Sequence, residues 1–324
     1  LKQISNAKLL GGFAMSKPKS NNAKTISVAL TLCLVCSVLV SAAAVGLKPA
    51  QVENARLDRN KNILVAAGMF DPASDTNEDV AERFKDFEVK IVDLNKGNYL
   101  DDDALTAAGI PDRNAYDASQ ATKNKALSED LGGNDPAGIG RKPKYAKVYV
   151  KNDDAGQPEI VVLPIQGYGL WGTIYGFLTL ESDMNTIKGI SFYDHKETPG
   201  LGARIEEPEW RAMWSGIHSY DDKGAVATGV TKAGNPKENW VDGISGATLT
   251  SRGVSNMIQF WLGEQGYKPY LDQLRKESGK TLVDAEVKAS QSPYKKLGQN
   301  LHQQQAHSVT ELVAVIPAAH GKEA

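Results

Sequence analysis

"GYGLWGTIYGFLTLE", Gly167 to Glu181, decides between two folds. Its first six residues satisfy G-x-G-x-x-G, the glycine pattern of dinucleotide-binding domains. That pattern works only where a helix follows at once, because the helix N-terminus takes the pyrophosphate. Here "TIYGFLTLE" follows, which alternates and is rich in β-formers. The glycines therefore read as part of a β-hairpin where another element approaches the backbone closely.

Strand signals extend to both sides. "YAKVYVK" (145–151) alternates, "EIVVLPI" (159–165) is a buried run, and "TIKGISFYDH" (186–195) alternates again, with Gly and Asn/Asp turns between them. "EPEWRAMWSGI" (207–217) reads as a short helix and "AVATGVTK" (225–232) as a further strand. Residues 250–276 have helical periodicity through Val254, Met257, Ile258, Trp261 and Leu262, broken near Gly266. Upstream, 79–100 reads as a helix, then a strand Val89 to Leu94, then a turn at Asn95-Lys96-Gly97. Residues 101–143 are a polar excursion with short helices. The expected class is α+β: a mainly antiparallel sheet with flanking helices, preceded by one N-terminal transmembrane helix.

That helix is expected at 25–47, "TISVALTLCLVCSVLVSAAAVGL", which is uncharged and about as long as a bilayer crossing requires. Lys2, Lys8, Lys17, Lys19 and Lys24 precede it with no acidic residue among them, which favours a cytoplasmic N-terminus. "SAAAVG" offers a cleavage-like pattern, but the run exceeds the ~7–15 residues of a signal core, so an uncleaved anchor is expected. Val35 before Cys36 excludes a lipobox. Residues 50–68 are helical in period and read as a stalk. Met15-Ser-Lys-Pro-Lys reads as an ordinary bacterial start, so residues 1–14 are taken as preceding the natural chain. The expected divisions are 1–24 cytoplasmic, 25–47 membrane, 48–143 stalk and α/β region, 144–277 cofactor domain, and 278–324 a Gln-rich disordered tail.

Lys and Arg total 37 against 39 for Asp and Glu, and no basic stripe stands out, so no nucleic-acid footprint is present. Cys33 and Cys36 both lie in the apolar run, which excludes a disulfide framework and a cysteine metal site elsewhere. Their CxxC spacing lacks the βαβ setting of a redox motif, so they read as small apolar residues. His302, His307 and His320 lack metal-ligand spacing, and no metal site is expected.

Two stretches carry chemistry. "HKETPGLG", His195 to Gly202, places Glu197 and Thr198 on a tight loop set by Pro199-Gly200. "DGISGATLTS", Asp242 to Ser251, contains no histidine, cysteine or lysine, and a hydroxyl with no base beside it is a poor nucleophile. Small residues before a helix start instead suit a phosphate, which the free N–H groups of the first turn attract. A helix N-cap by Thr248 or Thr250 is the competing use of the same hydroxyls. Gly246 permits close approach and Ala247 keeps the site open.

"DGISGATLTS" resembles the covalent flavinylation motif D-G-x-S/T-G-A-T of FMN-binding domains. "PIQGYGLWGTIYGFL", "HKETPGLGARI" and "FWLGEQGY" resemble the C-subunit of the bacterial sodium-translocating NADH:quinone oxidoreductase. The resemblance covers about residues 15–275. It implies FMN held through a phosphoester to Thr248, attached by a separate flavin transferase that uses FAD and a divalent metal. Asp242 matches the motif's acidic residue and is assigned to transferase recognition. Ser245, Gly246, Ala247, Leu249 and Thr250 would surround the phosphate, with Thr250 beginning or capping the helix. Leu170, Trp171, Glu197, Thr198, Gly200 and Leu201 would lie against the isoalloxazine ring. The implied function is single-electron transfer within a sodium-pumping NADH:ubiquinone oxidoreductase of the bacterial inner membrane, with the FMN domain periplasmic and other subunits of the complex as partners. One helix cannot form an ion path, and no NADH site is apparent, so this chain alone would be inactive. The G-subunit of the related Rnf complex and a non-redox membrane-anchored binding domain are the alternatives.

Overall fold

The computed structural model describes residues 22–71 and 74–280. Both the start at Met15 and the Gln-rich stretch beyond 280 lie outside the described residues. The chain divides into two compact units, residues 1–54 and 55–324. The described part of the first is one helical stretch, the beginning of α1 (Asn22–Ala66), whose side chains are exposed. This helix is long and apolar enough to cross a membrane. Cys33 and Cys36 are free and exposed on it.

The second unit is built on five strands: β1 (Phe87–Asp93), β4 (Tyr145–Asn152), β5 (Pro158–Tyr168), β6 (Thr173–Glu181) and β7 (Ile187–Asp194). They form one sheet in the order β1-β4-β5-β6-β7, antiparallel throughout. The G-x-G-x-x-G stretch is the end of β5 and its turn into β6, as the alternation after it requires. The sheet crosses the division drawn at 143/144, because β1 pairs with β4 along its whole length, from Phe87↔Lys151 to Asp93↔Tyr145. A non-local pairing of this kind leaves no local signal. Between β1 and β4 come α3 (Asp102–Ala107), α4 (Ala118–Ala121) and the two-stranded ribbon β2 (Ser128–Asp130) and β3 (Arg141–Pro143), and α2 (Asn77–Arg83) precedes β1.

Period-2 burial splits the sheet side chains between two faces. One face, with Val161, Leu163, Ile165 and Leu178, packs on α6 (Thr248–Leu262) and α7 (Lys268–Glu277). The helical stretch 250–276, expected to break near Gly266, forms these two helices, parted where Gly263 and Gly266 interrupt it. α6 presents Val254, Met257, Ile258 and Trp261 at helical spacing to this core. The opposite face, with Tyr149, Ile160, Val162 and Phe177, takes Ile63, Leu64, Ala66 and Ala67 from the end of the stalk. α5 (Pro208–Ala212) lies where a short helix was expected. "AVATGVTK" is not a strand: only isolated bridges form there, Tyr220↔Val226 and Val230↔Val241. Alternation alone did not supply a neighbour with which to build a ladder.

Candidate cofactor site

Three segments meet at one end of the sheet: the β5–β6 turn, the loop after β7 and the start of α6. Close backbone contact brings them together. A Cβ on Gly253 of α6 would come within 2.5 Å of the Tyr168 carbonyl oxygen, so the helix lies directly on the hairpin backbone. Neither the spacing of Gly253 nor its neighbours marked it as a site residue. Its position on a packed helix, in the turn after Thr248, was the available signal.

Glu197 ties the three segments. It is 5% exposed. Its Oε1 accepts the backbone N–H groups of Leu170 (2.9 Å) and Trp171 (3.0 Å), and its Oε2 accepts the Thr250 hydroxyl (2.5 Å). No cation pairs with it among the described residues, so three donors take the place of a counter-ion. Gly169 and Gly202 wall the carboxylate in, where a Cβ would fall 2.5 and 2.7 Å from its oxygens. His195 Nδ1 accepts the Glu197 N–H at 3.1 Å, which fixes the loop rather than offering a catalytic imidazole. Thr198 accepts from Trp171 Nε1 at 3.1 Å, and Gly200 makes the turn at φ +73°.

Helix α6 begins two residues earlier than its periodicity indicated. Its N-cap is Ala247, and no side chain caps it. Thr248 is its first residue and is exposed, as are Ser245 and Gly246. The first turn therefore has no side-chain cap for its N–H groups. Thr250 neither begins nor caps the helix. It sits in the first turn, 1% exposed, with its hydroxyl given to Glu197. The physical reason is tertiary: the helix already starts at Thr248, and the buried Glu197 carboxylate is a strong, charged acceptor for the Thr250 hydroxyl. Ser251, unremarked in the sequence, reaches back instead, accepting the Ile244 N–H at 3.0 Å and holding the preceding loop.

On the three segments that meet here, Leu170, Trp171, Leu201 and Leu249 are respectively 38, 62, 46 and 44% exposed, and Tyr168 is exposed as well. Large apolar side chains exposed around a packed glycine turn mark a binding surface. Leu201 approaches Gly246, where a Cβ would lie 3.2 Å from its Cδ2. Asp242 stands behind the loop and is not a free carboxylate. Its oxygens accept the Gly234 N–H at 3.0 and 3.2 Å and the Thr231 hydroxyl at 3.3 Å. Trp210 Nε1 donates to its carbonyl at 2.9 Å. Among the described residues no group of His, Cys, Asp and Glu could hold a metal ion.

This donor set fits FMN: an exposed hydroxyl at an uncapped helix start for the phosphate, and flat apolar side chains for the ring. The FMN-binding domain family matches residues 169–263, which span the turn, the loop and α6. The Na(+)-translocating NADH-quinone reductase C-subunit of Pseudomonas aeruginosa is 42% identical over 264 residues, covering 80% of this chain and 98% of the relative. The C-subunit of the same reductase from Yersinia pestis is 42% identical over 268 residues, covering 81% and 97%. The crystal structure of Shewanella oneidensis NqrC superposes with a TM-score of 0.59 at 34% identity, over 68% of this chain and 98% of that one. These relatives favour the quinone reductase over the Rnf alternative, and the chain belongs to the C-subunit family of the Na(+)-translocating NADH-quinone reductases.

Proposed function

We propose that this chain is a flavoprotein subunit of a sodium-translocating NADH-quinone reductase and carries FMN as a phosphoester on Thr248. The observation that supports the attachment point best is the pairing of an exposed Thr248 hydroxyl with a helix start that no side chain caps. Thr250 is removed from competition by burial and by its bond to Glu197. Ser245 is exposed but stands before Gly246, outside the helix, where the first-turn N–H groups stabilise a phosphate less. At an exposed helix N-terminus that stabilisation is about 0.3–1 kcal/mol.

Bound FMN would supply one-electron transfer between neighbouring redox centres of the complex. The chain's own residues bind and orient. Leu170, Trp171, Leu201 and Leu249 shield one side of the ring from water, and Glu197 holds the Leu170–Trp171 turn against α6. Gly246 and Ala247 leave the phosphate side open, while Thr198 and Gly200 shape the loop. Asp242 is recognised by the flavin transferase during maturation, and its bonds to Thr231 and Gly234 present the motif in one shape. The N-terminal helix anchors the domain in the inner membrane with its FMN face in the periplasm, where the Lys-rich leader directs it. The other subunits supply NADH oxidation and the sodium path.

Co-expression with a flavin transferase and peptide mass mapping tests the attachment. The expected result is an FMN phosphate adduct on the peptide containing Thr248. An adduct on Ser245 or Thr250, or no adduct with an active transferase, overturns it. A reporter fused after residue 276 should work only in the periplasm, and cytoplasmic activity overturns the orientation.

A further inference from the structure

Where the pairing of β4 with β5 ends, the sheet forks. β4 stays on β1 down to Tyr145↔Asp93, but its register with β5 ends at Tyr149↔Val162. Pro164, in β5, has no N–H to offer a ladder. The carbonyls of Pro164 and Gln166 accept instead from Tyr267 Oη and Trp261 Nε1, both at 2.7 Å. A cavity of about 270 Å³ opens at this fork, lined by Ala146 and Lys147 of β4 and by Pro164 to Gln166 of β5.

Its walls are flat. Phe177 and Tyr193 stack at 5.0 Å, Tyr149 meets Phe177 edge-on at 6.1 Å, and Tyr175 leans on Tyr193 at 6.1 Å. All four line the space. Its charge is concentrated. Lys147 is 8% exposed, and its ammonium donates to one carbonyl, that of Asn114, at 2.8 Å. No carboxylate lies within ion-pair distance of it among the described residues. Arg59 lines the same cavity, and its charge acts against that of Lys147. Asp117 and Asp194 also line it, and the charges of Asp117 and Asp112 favour the ammonium from beyond ion-pair distance, but Asp117 Oδ1 is committed to Ser119 and Gln120 at the start of α4. Holding a buried ammonium with one direct, neutral acceptor and a second cation nearby is costly for the apo fold, and Asp117 and Asp112 offset only part of that cost. An anion placed between Lys147 and Arg59 removes that cost.

We propose that this cavity is a second binding site, for a small planar aromatic molecule bearing one anionic group, such as an aromatic carboxylate. The ring lies against Tyr149, Phe177 and Tyr193, and the anionic group meets Lys147 and Arg59. The volume falls just below the ~300 Å³ lower end of small-molecule pockets, which limits the ligand to one or two fused rings. Aromatic walls select the flat shape, and the buried Lys147 with the exposed Arg59 at the cavity selects the charge. The site shares no residue with the flavin site, so it stands whether or not Thr248 is flavinylated.

The test is equilibrium dialysis of the full chain in detergent with 4-hydroxybenzoate as probe and 4-hydroxybenzyl alcohol as its uncharged counterpart. Saturable binding of the carboxylate, at least tenfold tighter than that of the alcohol, is expected. Lys147→Met should weaken the carboxylate at least tenfold and leave the alcohol unchanged, and Lys147→Arg should recover part of the loss. Arg59→Gln, on an exposed stalk residue, should weaken the carboxylate at least threefold and remains readable if Lys147→Met does not fold. Absence of saturable binding to the unsubstituted chain overturns the proposal. So does equal affinity for the two probes, or unchanged affinity in a folded Lys147→Met or Arg59→Gln chain.

Discussion

Two buried charges, one on each side of the sheet, are satisfied in opposite ways. On the α6 side one carboxylate, Glu197, is surrounded by three donors and no cation. On the stalk side one ammonium, that of Lys147, has a single carbonyl acceptor. The first group is satisfied within the protein and holds three segments together. The second is under-satisfied, a condition associated with binding sites more than with structural cores. The difference teaches where rigidity and where ligand demand reside: a fully bonded charge stiffens a site, and a partly bonded one leaves capacity for a partner.

The largest test of this contrast is chemical. Thr248→Ala should lose all covalent flavin, seen as the absence of the yellow-green band in a denaturing gel, while Thr250→Ala keeps the band. Lys147→Met should also keep it, because the two faces are independent. Loss of the band in Lys147→Met would join the two faces into one site.

Next comes stability on the α6 face. Glu197→Ala leaves the Leu170 and Trp171 N–H groups and the Thr250 hydroxyl without their acceptor. This should cost about 3 kcal/mol, read as a lower urea midpoint of the detergent-solubilised chain. Glu197→Gln still accepts from the two N–H groups and should lose less than half as much. Equal losses would mean that the negative charge, rather than the acceptor geometry, holds the segments.

On the stalk face the prediction concerns pH. Burial, followed by the Arg59 charge, pulls the Lys147 ammonium down to about 8. An unfolded lysine titrates near ~10.4, so between the two values the unfolded chain holds a proton that the folded chain has shed. Stability should therefore rise with pH from about 8, by at most about 3 kcal/mol on the conversion of a pKa difference to free energy. Above about pH 10 the sign reverses. Burial pushes the Tyr149 phenol up to about 12 and raises Tyr193 and Tyr116 as well, so unfolded tyrosines ionise first. Melting temperatures of the unsubstituted chain from pH 7 to 11 should show this maximum. Lys147→Met should be the more stable chain below pH 8 and lose that advantage by pH 10. Parallel curves would show that Lys147 is solvated in solution.

The smallest effect is expected at Ser245. It is exposed and outside the helix, so Ser245→Ala should retain covalent flavin and change stability by less than about 0.5 kcal/mol. A larger fall in flavin occupancy than in stability would give Ser245 a role in attachment.

Much of the fold was legible because its signals are local. Alternation at 145–151, 173–181 and 186–195 marked β4, β6 and β7, and the apolar run at 25–47 marked a helix that the structure extends from Asn22 to Ala66. The motif residues around Thr248 are adjacent in the chain, so a short string contained them. "AVATGVTK" misled because alternation states which faces a segment has and not whether a neighbour pairs with it. The pairing of β1 with β4 joins residues more than 50 positions apart, and no periodicity reports it.

By itself, then, the sequence determined the antiparallel class, the apolar N-terminal helix and the hydroxyl motif at the head of a helix, since each rests on spacing within a turn, a helix or a strand. Only the tertiary structure decided which hydroxyl is withdrawn. Thr250 is withdrawn by a carboxylate 53 residues away, across a contact that glycine at 169 and 202 makes possible. Only the tertiary structure brought Arg59, Lys147 and Tyr193 around one cavity. The physical reason is the same in both cases: burial and charge act through space, and their strength depends on what the folded chain removes from water.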